Sequence, residues 1–363
     1  MTENEIVMES SIAGNTTITN KTKKRHINIP VFIPHLGCPC MCVFCNQRTI
    51  SGKQCFDERS VPDIIEAALA TAGDAECEIA FFGGSFTGID RSLMIRLLEV
   101  GYKYVVDGRV TSLRCSTRPD YIDDEVMDIL TKYGVKTVEL GIQSMSDRVL
   151  ASSRRGHTSE DTRRACAIIR AHGVTLGGQM MIGLPGSTIA DEEETARAIC
   201  SLGCAEARIY PTIVFAGTKL ADMTAAGEYT PLSVDEAAYR TARVMRILDD
   251  DGVKILRVGL CESENLHTGE YIAGPNHPAI GEIAASILYY EDICSAIDSE
   301  IAGGADVAGR CAIIYVSDGA QSKAAGQRGK NKMMLAERYG LRDVKIKGGA
   351  KLSPGKRVSV ELV

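Results

Sequence analysis

Six times between residues 27 and 214 a short apolar run gives way to an amphipathic stretch, and that alternation limits the chain to few architectures. Candidate strands lie at 27–33, 77–82, 113–116, 137–143, 174–182 and 207–214. Helical patterns separate them at 61–72, 91–104, 123–133, 159–171 and 191–202. Ser60, Ser159 and Asp191 read as N-caps, and Gly173 and Gly203 stand where glycine ends a helix. Strands joined by helices pair in parallel, because a parallel pair needs a long crossover. The result is an α/β fold, either an open doubly wound sheet or an incomplete barrel; periodicity fits both. A further helix at 233–250 and a strand around 255–260 follow. A smaller α/β subdomain is then expected, with a helix at 279–297, strands at 311–316, 343–347 and 358–363, and a basic helix at 331–339.

Ligands of such sheets bind at the carboxyl ends of the strands. Each unusual motif of this chain falls there. After the first strand comes His35-Leu-Gly-Cys-Pro-Cys-Met-Cys-Val-Phe-Cys-Asn46, and after the second Gly83-Gly-Ser-Phe-Thr-Gly88. Thr117-Arg-Pro-Asp120, Gln143-Ser144 and Gly183-Leu-Pro-Gly186 follow the third, fourth and fifth, and Tyr210-Pro-Thr212 lies on the sixth. One shared rim makes one active site the economical reading.

Cys38, Cys42 and Cys45 have the spacing C-x3-C-x2-C. Three thiolates on one loop can hold three corners of a cubic iron–sulfur cluster and leave the fourth iron open for chemistry. A closed zinc site pairs two ligand doublets, and no second C-x2-C or H-x3-H follows. A disulfide knot suits small secreted chains, not 363 residues of ordinary composition. Cys40 falls outside the preferred spacing. The other nine of the 13 cysteines are scattered and read as small buried hydrophobes, which together with an oxygen-sensitive cluster fits a reducing cytoplasm.

At this point the chain resembles the radical S-adenosylmethionine superfamily. The cysteine loop is similar to its C-x3-C-x-aromatic-C signature, with Phe44 as the aromatic, and Gly83-Gly84-Ser85 resembles its second-strand motif, where an acid often stands at the position of Ser85. The resemblance implies a partial (β/α)6 barrel of the TIM type, a [4Fe–4S] cluster on the three cysteines, and S-adenosylmethionine cleaved to a 5′-deoxyadenosyl radical. It also implies an external electron donor such as flavodoxin or ferredoxin. By analogy with the oxygen-independent coproporphyrinogen oxidase branch, Gln143 and Arg155 would contact the cofactor carboxylate. Ser116 and Gln179 stand where that branch uses acids for the amine or ribose, and both are uncharged here.

A closer similarity is to the radical domain of the elongator catalytic subunit and its bacterial relatives. It is carried by Ser116-Thr-Arg-Pro-Asp-Tyr121, Val138-Glu-Leu-Gly-Ile-Gln-Ser144, Arg155-Gly-His157, Met180-Met-Ile-Gly-Leu-Pro-Gly186 and Ile209-Tyr-Pro-Thr212. Gly274-Pro-Asn-His-Pro278 and Gly326-Gln-Arg-Gly-Lys-Asn331 resemble its C-terminal extension. That subunit has a wider first cysteine gap and an acetyltransferase domain, for which these 363 residues leave no room. The expected division is a polar tail over 1–25, disordered and without the apolar core of a secretion signal, a radical domain over 26–255 and an extension over 256–363.

Charge points to a partner. The whole chain carries −6, yet segment 323–357 holds eleven Lys or Arg against two acids, a net +9 that leaves −15 for the rest. Such a segment suits a polyanion, and the resemblance makes that tRNA; charge alone fits a solvated face equally well. Two other readings stand beside it. One is a small-molecule radical reaction of the coproporphyrinogen oxidase type, the other a non-catalytic iron–sulfur electron carrier. No window reaches the roughly 18 uninterrupted apolar residues of a membrane span, so no membrane partner is expected.

Overall fold

The computed structural model describes residues 25–33, 36, 38, 42–46, 56–260, 270–353 and 355–363. Residues 1–24 of the expected tail, and Cys40, lie outside them. Seven parallel strands form one sheet in the order β1 (His26–Phe32), β2 (Glu76–Phe82), β3 (Ser112–Thr117), β4 (Val135–Gln143), β5 (Thr175–Ile182), β6 (Glu206–Pro211) and β8 (Lys254–Val258). The short β7 (Val214–Phe215) leaves this sheet and pairs antiparallel with β9 (Tyr271–Ala273). The expected sixth strand, 207–214, is therefore split between β6 and β7. Helices cover the convex side of the curled partial barrel, so the incomplete barrel is the geometry adopted. The seventh strand of the sheet is the apolar stretch near Ile255, which extends the expected six-unit sheet by one.

Alternation along each strand builds the two faces. Ile29, Val31, Ile79, Phe81, Leu113 and Cys115 turn outward and are fully buried in one core with Val61 and Ile65 of the helix Val61–Ala72 and Met94, Leu97 and Leu98 of the helix Arg91–Val106. Phe81 stacks on Phe86 with centroids 4.7 Å apart. Residues between them face the concave side, where the sheet becomes polar. Pro30 is tolerated in β1 because among the described residues that strand is an edge, paired with β2 alone.

Three helix starts differ from the sequence expectation. Ser60 makes no side-chain cap; a 3-10 turn capped by Asp57 leads into the helix Val61–Ala72 instead. Thr158, not Ser159, caps the helix Ser159–Ala171 in a capping box with Asp161. Thr188 likewise caps Ile189–Ser201, and Asp191 is its box partner at the third helical position. Gly173 and Gly203 do adopt positive φ just beyond their helices.

A second core lies in the C-terminal part, where β10 (Cys311–Val316) is flanked by β11 (Asp343–Lys347) and β12 (Val358–Leu362). Ile293 and Ile297 of the helix Ile280–Ala302 and Leu335 of the helix Lys330–Tyr339 pack onto Ile314 and Val344. Buried Asn331 explains the Gly326–Asn331 motif: its Nδ2 donates to the Ser286 carbonyl at 2.9 Å, the Ser286 hydroxyl at 3.1 Å and the Ala324 carbonyl at 3.1 Å. Asn331→Ala is expected to lower stability by about 1–3 kcal/mol, read as a lower denaturant midpoint for this part, because the buried acceptors lose their donor. No helix among the described residues is long and apolar enough to cross a membrane.

Candidate active site

The cysteine turn sits over the carboxyl end of the sheet and is pinned from both sides. The Val43 N–H donates to the Ser153 carbonyl at 3.2 Å, and the Val43 carbonyl accepts from the Leu220 N–H at 2.8 Å. Val43 itself is buried among Val214, Leu220 and Tyr229, with Phe44 packed against the same cluster. Burial pushes the Cys38 thiol up, while the Arg118 and Arg155 guanidiniums pull the other way. Arg155 Nη1 donates to Cys42 Sγ at 3.3 Å, and its Nη2 donates to the Gly141 carbonyl at 2.7 Å. Among the described residues no three Cys, His, Asp or Glu converge on a single metal ion.

Beside the turn, Gly83 and Gly84 make a shelf at positive φ, +85° and +53°. A Cβ on Gly83 would lie 3.2 Å from the Ile33 carbonyl oxygen, and one on Gly84 would collide with that of Leu36. Only glycine lets strand and cysteine loop approach so closely. Ser85, the third residue of the motif, is fully buried. Its hydroxyl accepts the Arg118 N–H at 3.1 Å and shares a hydrogen bond with Thr117 Oγ1 at 3.2 Å, tying the second loop to the third. Gly183–Gly186 is also structural: buried Glu192 accepts the Gly183 N–H at 2.8 Å, and Tyr229 donates to the Gly183 carbonyl at 2.7 Å.

Between turn and sheet opens a cavity of about 220 Å³. Phe44, Cys45, Gly83, Gly84, Ser116, Gln143 and Gln179 all line it, so most residues singled out from the sequence meet in one place. Gln143 has a backbone that sequence could not reveal. It lies at a bulge in the β4–β5 register and adopts φ +65°, a strained value for a residue with a Cβ. Its Oε1 is buried without a hydrogen-bond partner among the described residues, as is Arg155 Nε.

The floor carries an ion network that sequence reasoning misses. Glu139, 1 % exposed, accepts from Arg208 Nε at 2.6 Å, Arg208 Nη2 at 3.1 Å and Gln179 Nε2 at 2.9 Å, and is ion-paired with Arg114 Nη2 at 2.8 Å. Arg114 also bonds Glu78 at 3.1 Å and Glu206. Gln179 Nε2 also donates to the Ser116 hydroxyl at 3.5 Å, which joins two of the cavity-lining residues to this network. Arg208 lies over the Phe82 ring, 5.4 Å from its centroid, and joins Phe32, Tyr210 and Leu260 in the lining. Charged residues at alternate positions of otherwise apolar strands are the signal that could have found it.

His157 is 4 % exposed, and burial beside Arg155 holds its imidazole at about 4, so it stays neutral near pH 7.

Comparison with known proteins agrees with this geometry. Residues 32–199 match the model of the radical SAM superfamily, and residues 204–289 match the radical SAM C-terminal domain. An uncharacterized protein of Methanocaldococcus jannaschii is 32% identical over 235 residues, covering 61% of this chain and 71% of that protein. The tRNA uridine(34) acetyltransferase of the same organism is 29% identical over 195 residues, 48% of this chain but 36% of the enzyme. In structure the chain is similar to archaeal Methanocaldococcus infernus Elp3 lacking its N-terminus, with a TM-score of 0.61 at 22% identity over 74% of this chain and 64% of that one. It thus spans about a third of the acetyltransferase and less than two thirds of the solved chain.

Proposed function

The chain belongs to the radical S-adenosylmethionine superfamily of enzymes, whose cofactors are a [4Fe–4S] cluster and S-adenosylmethionine, and on that premise we propose that it cleaves S-adenosylmethionine reductively to modify an RNA, tRNA foremost. The observation that carries the cofactor reading is the convergence of glycine shelf, cysteine turn and orphaned Gln143 Oε1 on one cavity. The residues present suit both groups. Cys38, Cys42 and Cys45 offer three thiolates, and a cubic cluster gives each its own iron, so the sulfurs need not converge on one point. Gly83 and Gly84 expose backbone where a side chain would block an amino acid moiety, Ser116, Gln143 and Gln179 line the same cavity with polar groups, and Arg155 stands next to it on Cys42. When bound, the pair supplies hydrogen abstraction by a 5′-deoxyadenosyl radical. The protein's part is to hold the cofactor, keep water out with Phe32, Phe44, Phe82 and Phe215, and admit one substrate group. A flavodoxin or ferredoxin in a reducing cytoplasm would deliver the electron.

RNA as substrate is supported by the basic C-terminal segment and by the relatives that are tRNA uridine(34) acetyltransferases. Lys345 and Lys347 stand exposed on β11, the edge of the small sheet, near exposed Arg328, Lys330, Arg342, Lys351 and Lys356 in sequence. Lys345 lies 3.9 Å from Asp343, a weak exposed pair, and Lys347 lies over Tyr315. Lysines that neutralise phosphates release counterions, so tRNA affinity is expected to fall steeply between 50 and 200 mM salt. Lys345→Ala with Lys347→Ala should flatten the log–log slope by about one for each lysine that meets a phosphate. Salt-independent binding, or none, would move the substrate to a small molecule.

A further inference from the structure

Arg155 is a buried guanidinium, 7 % exposed, and no carboxylate pairs with it among the described residues. Such a charge is costly unless an anion meets it. Its partners are the Gly141 carbonyl and, at 3.3 Å, the sulfur of Cys42, while Nε is left without a partner. The position is built rather than incidental. The Arg155 N–H donates to the Leu150 carbonyl at 3.0 Å, and Ser153, two residues earlier, accepts the N–H of Val43 inside the cysteine turn. Gly141 leaves room for the guanidinium, since a Cβ there would lie 3.2 Å from Arg155 Nη2. The arginine is thus aimed at one cysteine of the three.

We propose that Arg155 is a positioning residue for the cluster as well as a cofactor contact, and that its hydrogen bond to Cys42 Sγ raises the reduction potential of the bound cluster. This rests on the radical reading above. Three thiolates on a core of two positive charges leave a net negative charge, which grows by one on reduction. A fixed cation and an N–H donor at one sulfur favour the more negative state. The step concerned is a one-electron reduction in which the electron comes from a low-potential donor and no bond forms or breaks. A carboxylate contact alone would leave the potential of the cofactor-free protein untouched.

The test uses the full chain, anaerobically reconstituted with iron and sulfide and free of S-adenosylmethionine, in a dithionite titration followed by electron paramagnetic resonance. Arg155→Gln should lower the midpoint at unchanged iron and sulfide content, cutting the reduced-to-oxidised ratio at a fixed potential by on the order of tenfold, about 59 mV for one electron. Arg155→Lys, which keeps the charge but loses the fork, should fall between the two. If Arg155→Gln does not load, the lysine variant decides, because it keeps the buried cation. A midpoint equal to or above that of the wild type in whichever variant loads overturns the inference and leaves the function standing. Wild-type protein that binds no iron and sulfide overturns both, and the metal analysis tells these failures apart.

Discussion

Gly84→Ala is expected to leave the barrel folded and to weaken S-adenosylmethionine binding roughly ten- to hundredfold. At φ +53° a Cβ would meet the Leu36 carbonyl oxygen and lie 3.2 Å from that of Ile33, so it has backbone on both sides and no flexible neighbour to displace. Forcing an L-residue into such a position costs about 1–3 kcal/mol, and each 1.4 kcal/mol is tenfold in affinity. The strain falls where strand, glycine shelf and cysteine loop touch, so the cofactor cradle distorts before the core does. Gly73→Ala is the control, because Gly73 also has positive φ, +64°, but nothing within 4 Å of the added carbon. Equilibrium dialysis of the reconstituted proteins reads both. Equal affinity of Gly84→Ala and wild type would show that the shelf does not hold the cofactor.

Glu139→Ala should be the most destabilising single change in the concave face. The carboxylate, 1 % exposed, is the only acid hydrogen-bonded by Arg208 among the described residues, and it helps hold Arg114 as well. Removing one partner of a buried pair leaves an uncompensated charge and costs about 3–5 kcal/mol. Replacing both partners with apolar groups of similar volume is far milder, so Glu139→Leu with Arg208→Met should recover more than half of the loss. Urea denaturation followed by circular dichroism measures each, and a single-variant loss below about 1 kcal/mol would mean that water reaches the network.

Most of the fold is legible in the sequence because parallel strands covered on one side by helices are short apolar runs that stop at glycine or a polar motif. The strand ends at Phe82 and Gln143 are plain for that reason. Helix starts are less plain, although Thr158-Ser-Glu-Asp161 and Thr188-Ile-Ala-Asp191 spell capping boxes, because a second polar residue beside the true cap imitates it. The candidate site divides along the same line. Cysteines, glycines and the residues at strand ends are local signals. Arg114 and Gln179 reach Glu139 on β4 from the neighbouring strands β3 and β5, but Arg208 reaches it from β6, two strands away, and that pairing depends on how the sheet curls, which no linear pattern states. Arg155 turning to Cys42, 113 positions earlier, and the bulge that re-aims Gln143 are likewise products of assembly.

Release of 5′-deoxyadenosine is the decisive measurement. Anaerobically reconstituted protein with S-adenosylmethionine and dithionite should form it, and Cys42→Ala should form none. Full release by Cys42→Ala, or no release by a wild type that carries its iron and sulfide, would contradict the assignment of the three-cysteine turn as the seat of the cluster.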